Sequence, residues 1–277
     1  MLASLAIQNV GASYAKHLFG LIGPAGMTGL RIGMAACILI IVRRSWRNPP
    51  SGKSWLPVLK YGLAVAAMNG LIYQSFARIP IGIAVAIEIL GPLAIVLAGA
   101  RKPTDVLWLL LAIGGLALLI PWHQGAGSLD LVGIGCALGA AISWALYILF
   151  GKKASSLADV DALSWGMFVA ALLSLPSAGL DAGGALLSPQ ILLAGVAVAA
   201  LSSAIPYSLE MLALRRLTAR SFGVLIGTAP AMAALAGLIL LGELLTISQW
   251  LAVGLIILST IGSTISSTKH LGSTKDG

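Results

Sequence analysis

Charged side chains set inside apolar runs are the residues of this sequence best placed to do chemistry, and Glu88 comes first among them. It is the single charge in the run IGIAVAIEILGPLAIVLAGA, residues 81–100. A carboxyl group in such a setting can take up a proton, an ammonium group or a water. An acid inside an apolar span is costly, which makes it a functional candidate by default. Pro92 has no N–H and so leaves the carbonyl of Glu88, four residues back, without its helical partner. A carboxylate and a free carbonyl then share one level, with Gly91 and Ala84 leaving room beside them. The plainer reading is a kinked packing helix whose Glu88 stays protonated or pairs with a neighbour. Arg31, between Gly29 and Gly33, offers a planar guanidinium suited to gripping a carboxylate by two bonds. Snorkelling to the interface and a structural salt bridge are equally open for it.

The remaining candidates are polar groups that recur on apolar stretches. Gln8, Asn9, Ser13, Tyr14, Lys16 and His17 fall within one helix length. Gln8, Ala12 and Lys16 at four-residue steps would form one polar stripe. Lys16 and His17 are also close enough to the end to snorkel. Asn69 and Tyr73 share a helical face, with Gln74 beside them. Ser143, Trp144 and Tyr147, then Ser202, Ser203, Pro206 and Tyr207, repeat a mixture of hydroxyls and aromatics. Gln8, Asn9, Tyr14, Lys16, Arg31, Asn69, Tyr73, Glu88, Trp144, Tyr147 and Tyr207 are therefore taken as substrate-lining candidates, with Glu88 also the proton-coupling group. Interhelical hydrogen bonding explains Asn69 and Tyr73 almost as well. Glu210, shortly before Arg215 and Arg216, reads as a gate or ion pair. Pro92, Pro206 and Pro230 are the expected helix breaks, Pro206 freeing the carbonyl of Ser202 as Pro92 frees that of Glu88.

Catalytic signatures are missing from the sequence. It has no H-E-x-x-H, no Walker A and no G-x-S-x-G, and its histidines are scattered at 17, 123 and 270. Gly133, Gly135 and Gly139 mimic a dinucleotide loop, but the spacing is G-x-G-x-x-x-G with no βαβ unit around it, and they read as a helix-packing seam. Cys37 and Cys136 are isolated in apolar sequence. Neither an enzyme nor an ATP-driven pump is expected on these grounds, and no metal or cofactor is expected.

The elements that must position these groups are membrane helices. Hydrophobic residues make up 58% of the 277 residues and charged ones 9%, where a soluble domain carries about 25% charged. The chain reads as an all-α integral membrane protein with ten transmembrane stretches: 2–19, 25–42, 56–77, 81–100, 105–122, 131–150, 161–180, 190–213, 221–241 and 247–266. No cleavable signal peptide is expected, because the sequence turns apolar at Leu2 without a basic region before it. With both termini in the cytoplasm, 14 of the 17 Lys and Arg residues fall on the inner side; Lys16, Arg31 and Arg78 fall elsewhere. The +8 charge thus encodes topology, and no nucleic-acid partner is implied. Residues 89–99, ILGPLAIVLAG, answer 227–237, GTAPAMAALAG, with Pro92 over Pro230. Five stretches per half is an odd number, so the second copy enters upside down, giving a five-plus-five inverted repeat. The expected division is 1–122 and 131–266 for the two repeats and 267–277 for a cytoplasmic tail.

The runs IQNVGASYAKHLF, GMTGLRIGMAACILI, VRRSWR, MNGLIYQS, RIPIGIAVAIEILGPLAIVL, WALYILFGKK, PYSLEMLAL and LLGELLT closely resemble bacterial threonine and homoserine exporters of the drug/metabolite transporter superfamily, in its EamA branch. The resemblance implies ten helices in a five-plus-five inverted repeat, an inner-membrane location, and export of small amino acids in exchange for protons. By position it points to Glu88 and Glu210. The partners it implies are an amino-acid substrate, protons and the bilayer. Export of aromatic amino acids or drugs, and a non-transporting membrane subunit, are the alternatives to be separated by flux measurement.

Overall fold

A chain this apolar must satisfy its backbone N–H and C=O groups internally wherever lipid replaces water, and helix is the simplest solution. The computed structural model describes residues 2–98, 103–119, 129–155, 161–206, 209 and 225–273, and no strand occurs among them. The helices are α1 (Leu2–His17), α2 (Phe19–Arg43), α3 (Trp55–Phe76), α4 (Ile81–Glu88), α5 (Leu90–Ala98), α6 (Pro103–Leu119), α7 (Leu131–Ser155), α8 (Ala162–Ala182), α9 (Pro189–Ala199), α10 (Ala229–Leu241) and α11 (Ile247–Ser273). Among the described residues five helical stretches are long and apolar enough to cross a membrane: Phe19–Arg43, Gly52–Phe76, Leu131–Ala154, Ala162–Leu187 and Ile247–Ser266. Four shorter apolar ones accompany them, Ile81–Ile95, Val106–Leu119, Pro189–Ala204 and Ala229–Leu241. Helix α11 continues to Ser273, beyond the expected end of its stretch at 266.

The interruptions fall where the sequence removes a donor or permits an unusual φ. Gly23 has φ 67° and ψ 167°, and Pro24 follows it, so the first turn of α2 is set off from its long part. A side chain at Gly23 would also strike the carboxylate of Asp181, which accepts from Ala25 N at 3.2 Å. Ile89 is a single turn residue between α4 and α5, three positions before Pro92. Gly227 and Thr228 form a turn just before α10, and Gly227 lies three positions before Pro230. The two breaks therefore hold the same place relative to their prolines. Upstream of Pro206 the chain widens into a π-helical turn, Ala200–Ala204.

The helices close on one another through small residues. α2 lies on α8, α6 on α11 and α4 on α10, while α3 lies on α7 and α8, and α9 with its π turn lies on α1 and α2. A Cβ added at Gly82 of α4 would come within 2.5 Å of Cα and Cβ of Ala234 in α10, so these two backbones meet almost directly. Gly29 of α2 stands in the same relation to Ala178 of α8, at 2.5 Å. Two buried clusters result. The larger joins α1, α3, α4 and α10 around Ile72, Tyr73, Ile83 and Ala233, and the smaller joins α2, α3, α7 and α8 around Ile32, Tyr61, Val65 and Met167. Large apolar residues such as Leu180, Leu193 and Ile239 point outward, as a lipid-facing surface requires.

Candidate functional site

Arg31 is the centre of the polar core. Its side chain projects from α2 and is only 3% exposed. Nη1 donates to Ser203 Oγ at 2.9 Å and, more weakly, to the carbonyl and hydroxyl oxygens of Ser202, each at 3.4 Å. Nη2 donates to Asn69 Oδ1. The guanidinium carbon lies 4.8 Å from the centre of the Tyr73 ring, within cation–π range. The Ser202 carbonyl is the oxygen that Pro206 deprives of its helical donor, and the arginine takes up that acceptor. Asn69 is fixed in turn, its Nδ2 donating to Val65 O at 2.8 Å. One cation thus ties α2 to α3 and to the π turn that follows α9.

Glu88 closes α4 at the break before Ile89 and is 9% exposed. An electrostatic interaction links its carboxyl to Arg31. The ion pairs among the described residues are Lys16–Glu243, Arg43–Asp161 and Arg78–Asp130, so Arg31 and Glu88 do not form a direct salt bridge there. The guanidinium leans on neutral acceptors instead. Among the described residues two buried polar groups of this contact lack a hydrogen-bond partner, Arg31 Nε and the Tyr73 hydroxyl. Most buried polar atoms are hydrogen-bonded, so two orphans on one pair of side chains are unusual.

The structure brings Arg31, Asn69 and Tyr73 together, with Glu88 within reach of the Arg31 charge; it distributes the other candidates more widely. Asn9 is buried in α1 and donates to Leu5 O at 2.8 Å, while Gln8 is half-buried. Tyr14 is 44% exposed and faces away from the core. Lys16 sits at the end of α1, its Nζ 2.6 Å from Glu243 Oε1 and 3.2 Å from Ile79 O. Trp144 is packed against the same cluster as Tyr73, whereas Tyr147 belongs to the other cluster, its ring 5.1 Å from that of Tyr61. Tyr207 and Glu210 lie outside the described residues. Cys37 is exposed on α2 and Cys136 partly buried on α7. No group of three or more His, Cys, Asp or Glu suited to a metal occurs among the described residues.

Sequence reasoning missed Glu243 and Asp161, because both lie in links between helices. Glu243 Oε2 accepts from Ile81 N at 2.8 Å, so one carboxylate joins the end of α1, the start of α4 and the link between α10 and α11. Lys16, a cation needing a counter-charge, is the sequence signal that could have led to it. Asp161 caps α8 and accepts from Ser164 Oγ at 2.6 Å, Ser45 Oγ at 2.7 Å and Arg43 Nε at 2.7 Å. Burial raises the pKa of Asp161, but these two hydroxyl donors and the Arg43 charge outweigh it and hold the carboxyl below its ordinary value.

Comparison with known proteins bears on what such a site serves. Residues 131–265 match the profile of the EamA-like transporter family. The chain is 44% identical over 270 residues to a protein of Escherichia coli (strain K12) called threonine/homoserine exporter RhtA, covering 98% of this chain and 92% of that one. It is 45% identical over 265 residues to the protein of the same name in Salmonella typhimurium (strain SL1344), covering 96% and 90%. A solved crystal structure superposes with a TM-score of 0.63 at 18% identity, over 97% of this chain and 96% of the other, which shows a shared fold.

Proposed function

The chain belongs to the EamA-like transporter family, and from that premise we propose that it exports small neutral amino acids of the threonine and homoserine kind across the bacterial inner membrane in exchange for protons. It is a multi-pass membrane transporter and not an enzyme. The observation that carries the substrate class is the 44% identity to a threonine/homoserine exporter across 98% of the chain. Arg31 and Glu88, the one cation and the one acid among the buried residues described, fit a zwitterionic cargo.

Ten spans in two inverted five-helix repeats, 1–122 and 131–266, are the architecture of this proposal. Its support is the pairing of elements. α2 with α8, α6 with α11, and α4 with α10 are each a contact between equivalent helices of the two halves, and the contact of α3 with α7 has its counterpart in that of α9 with α1. The breaks three residues before Pro92 and Pro230 add to it. Such repeats serve alternating access around a central site. The inward basic bias puts both termini, and the segment 267–277, in the cytoplasm. In intact cells a cysteine at Ser51 should then resist impermeant maleimides while one at Gly125 reacts, and the opposite pattern would reverse the orientation.

Coupling requires a group for which proton and substrate compete, and Glu88 has that role here. A proton enters from outside, and the approaching substrate ammonium displaces it toward the cytoplasm. A neutral zwitterion leaving against one entering proton moves one positive charge inward, which is worth about 2.3 kcal/mol per 100 mV. Uptake of labelled threonine, homoserine and phenylalanine into inside-out vesicles tests the reading. Threonine and homoserine should accumulate only with the interior acidified or the interior positive, and phenylalanine should not. Equal accumulation without a gradient would remove the proton coupling, and none at all would remove export.

A further inference from the structure

Arg31 carries a full charge in a site 3% exposed, and every acceptor it uses among the described residues is neutral: Asn69 Oδ1, Ser203 Oγ, and the carbonyl and hydroxyl of Ser202. A buried cation without a carboxylate partner is costly, since desolvation is repaid only by an opposite charge at close range and complete hydrogen bonding. Here even the hydrogen bonding is incomplete. Among the described residues Arg31 Nε has no acceptor, and the hydroxyl of Tyr73, whose ring lies against the guanidinium, has no partner either. The Nε–H and the neighbouring N–H of Nη2 form one edge of the guanidinium fork, the edge that carboxylates bind through two parallel bonds.

We propose that this edge of Arg31, together with the unpartnered Tyr73 hydroxyl, is the subsite for the substrate's α-carboxylate. The proposal rests on the export reading and assigns one end of the zwitterion, leaving the ammonium to Glu88. It also gives the neutral contacts a purpose. Asn69 belongs to α3, and Ser202 and Ser203 to the π turn after α9, which is the counterpart of α3 in the second half. An arriving carboxylate competes with these weaker acceptors for the guanidinium. Binding therefore loosens a clamp between the two halves at the moment the site is filled. The other account of Arg31 is structural, a cation that holds helices together and balances Glu88 from a distance.

The full-length protein in proteoliposomes separates the two. Labelled threonine counterflow is measured against unlabelled threonine and against L-threoninamide, which keeps the ammonium and the hydroxyl but has no carboxylate. Threonine should compete about 10- to 150-fold better than the amide, the range of one charge-assisted hydrogen bond or slightly more. In Arg31→Lys the charge remains and the fork is lost, so that ratio should fall at least about fivefold. Should Arg31→Lys not fold, Tyr73→Phe keeps the ring against the guanidinium, and it should raise the threonine half-saturation while leaving the amide's unchanged. A purely structural arginine would change rate or protein level but not the ratio. Equal competition by threoninamide in the unmodified protein overturns the subsite and leaves export standing. Absence of threonine counterflow overturns both.

Discussion

Glu243→Gln weakens a three-way clasp without removing a side chain, which makes it the sharpest perturbation the structure offers. Glu243 Oε1 is 2.6 Å from Lys16 Nζ and Oε2 is 2.8 Å from Ile81 N, while Lys16 also donates to Ile79 O at 3.2 Å. The two side chains are 22% and 13% exposed, so the pair is neither freely solvated nor fully dry. A fully exposed pair contributes at most about 1 kcal/mol, whereas hydrogen bonds to charged groups reach about 1.5–3 kcal/mol. The glutamine still has an acceptor for one of its partners but has no charge for Lys16, so a loss of about 1–3 kcal/mol follows. In a two-state carrier that energy is a change of roughly 5- to 150-fold in the population with this end open. Ile79, 2% exposed, sits under the clasp and serves as reporter when replaced by cysteine in a background lacking Cys37 and Cys136. Impermeant maleimide applied to intact cells should modify that cysteine faster in Glu243→Gln by that factor, and a cysteine at Ser51 should show no such change. An unchanged rate at Ile79, with normal membrane insertion, would mean that the pair only anchors Lys16 at the interface and that the clasp does not govern opening.

Three further outcomes are expected. Glu88→Gln should insert normally but lose its response to an imposed gradient: at 100 mV the coupled carrier holds about a 50-fold concentration ratio from the potential alone, and the variant should equilibrate near unity in the same vesicles. Asp161 is held as a carboxylate, so its stabilisation is complete above the ordinary value of 3.8 and lost as pH falls below it; Asp161→Asn should therefore lower unfolding stability in detergent by about 1–3 kcal/mol between pH 5 and 8, with the difference shrinking only in strong acid. Gly82→Val would force side-chain atoms into Ala234, 2.5 Å from the added Cβ, so it should cost about 1–3 kcal/mol and reduce the folded yield, whereas Gly70→Ala, with nothing within 4 Å, should leave both unchanged.

The helical class was legible because lipid leaves the backbone so few choices, and the breaks were legible because proline's missing donor acts locally. The turn at Ile89 and the free carbonyl of Ser202 both follow from counting back from a proline. Which face of each helix turns inward was harder. The first stretch suggested a stripe of Gln8, Ala12 and Lys16, but the buried face runs through Leu5, Asn9, Ala12 and Ser13, and Tyr14 is turned outward beside them. A helix of mixed small and polar residues has no strong apolar stripe to set its rotation, so the partner sets it. Gly11 meeting the backbone of Ser202 is what orients α1. The pairing of Lys16 with Glu243 spans 227 positions, and that of Arg31 with Ser203 spans 172; no periodicity reaches across such distances. The sequence could therefore nominate a freed oxygen at Ser202, while the donor that finds it is determined only when α2 of the first half is laid against the π turn of the second.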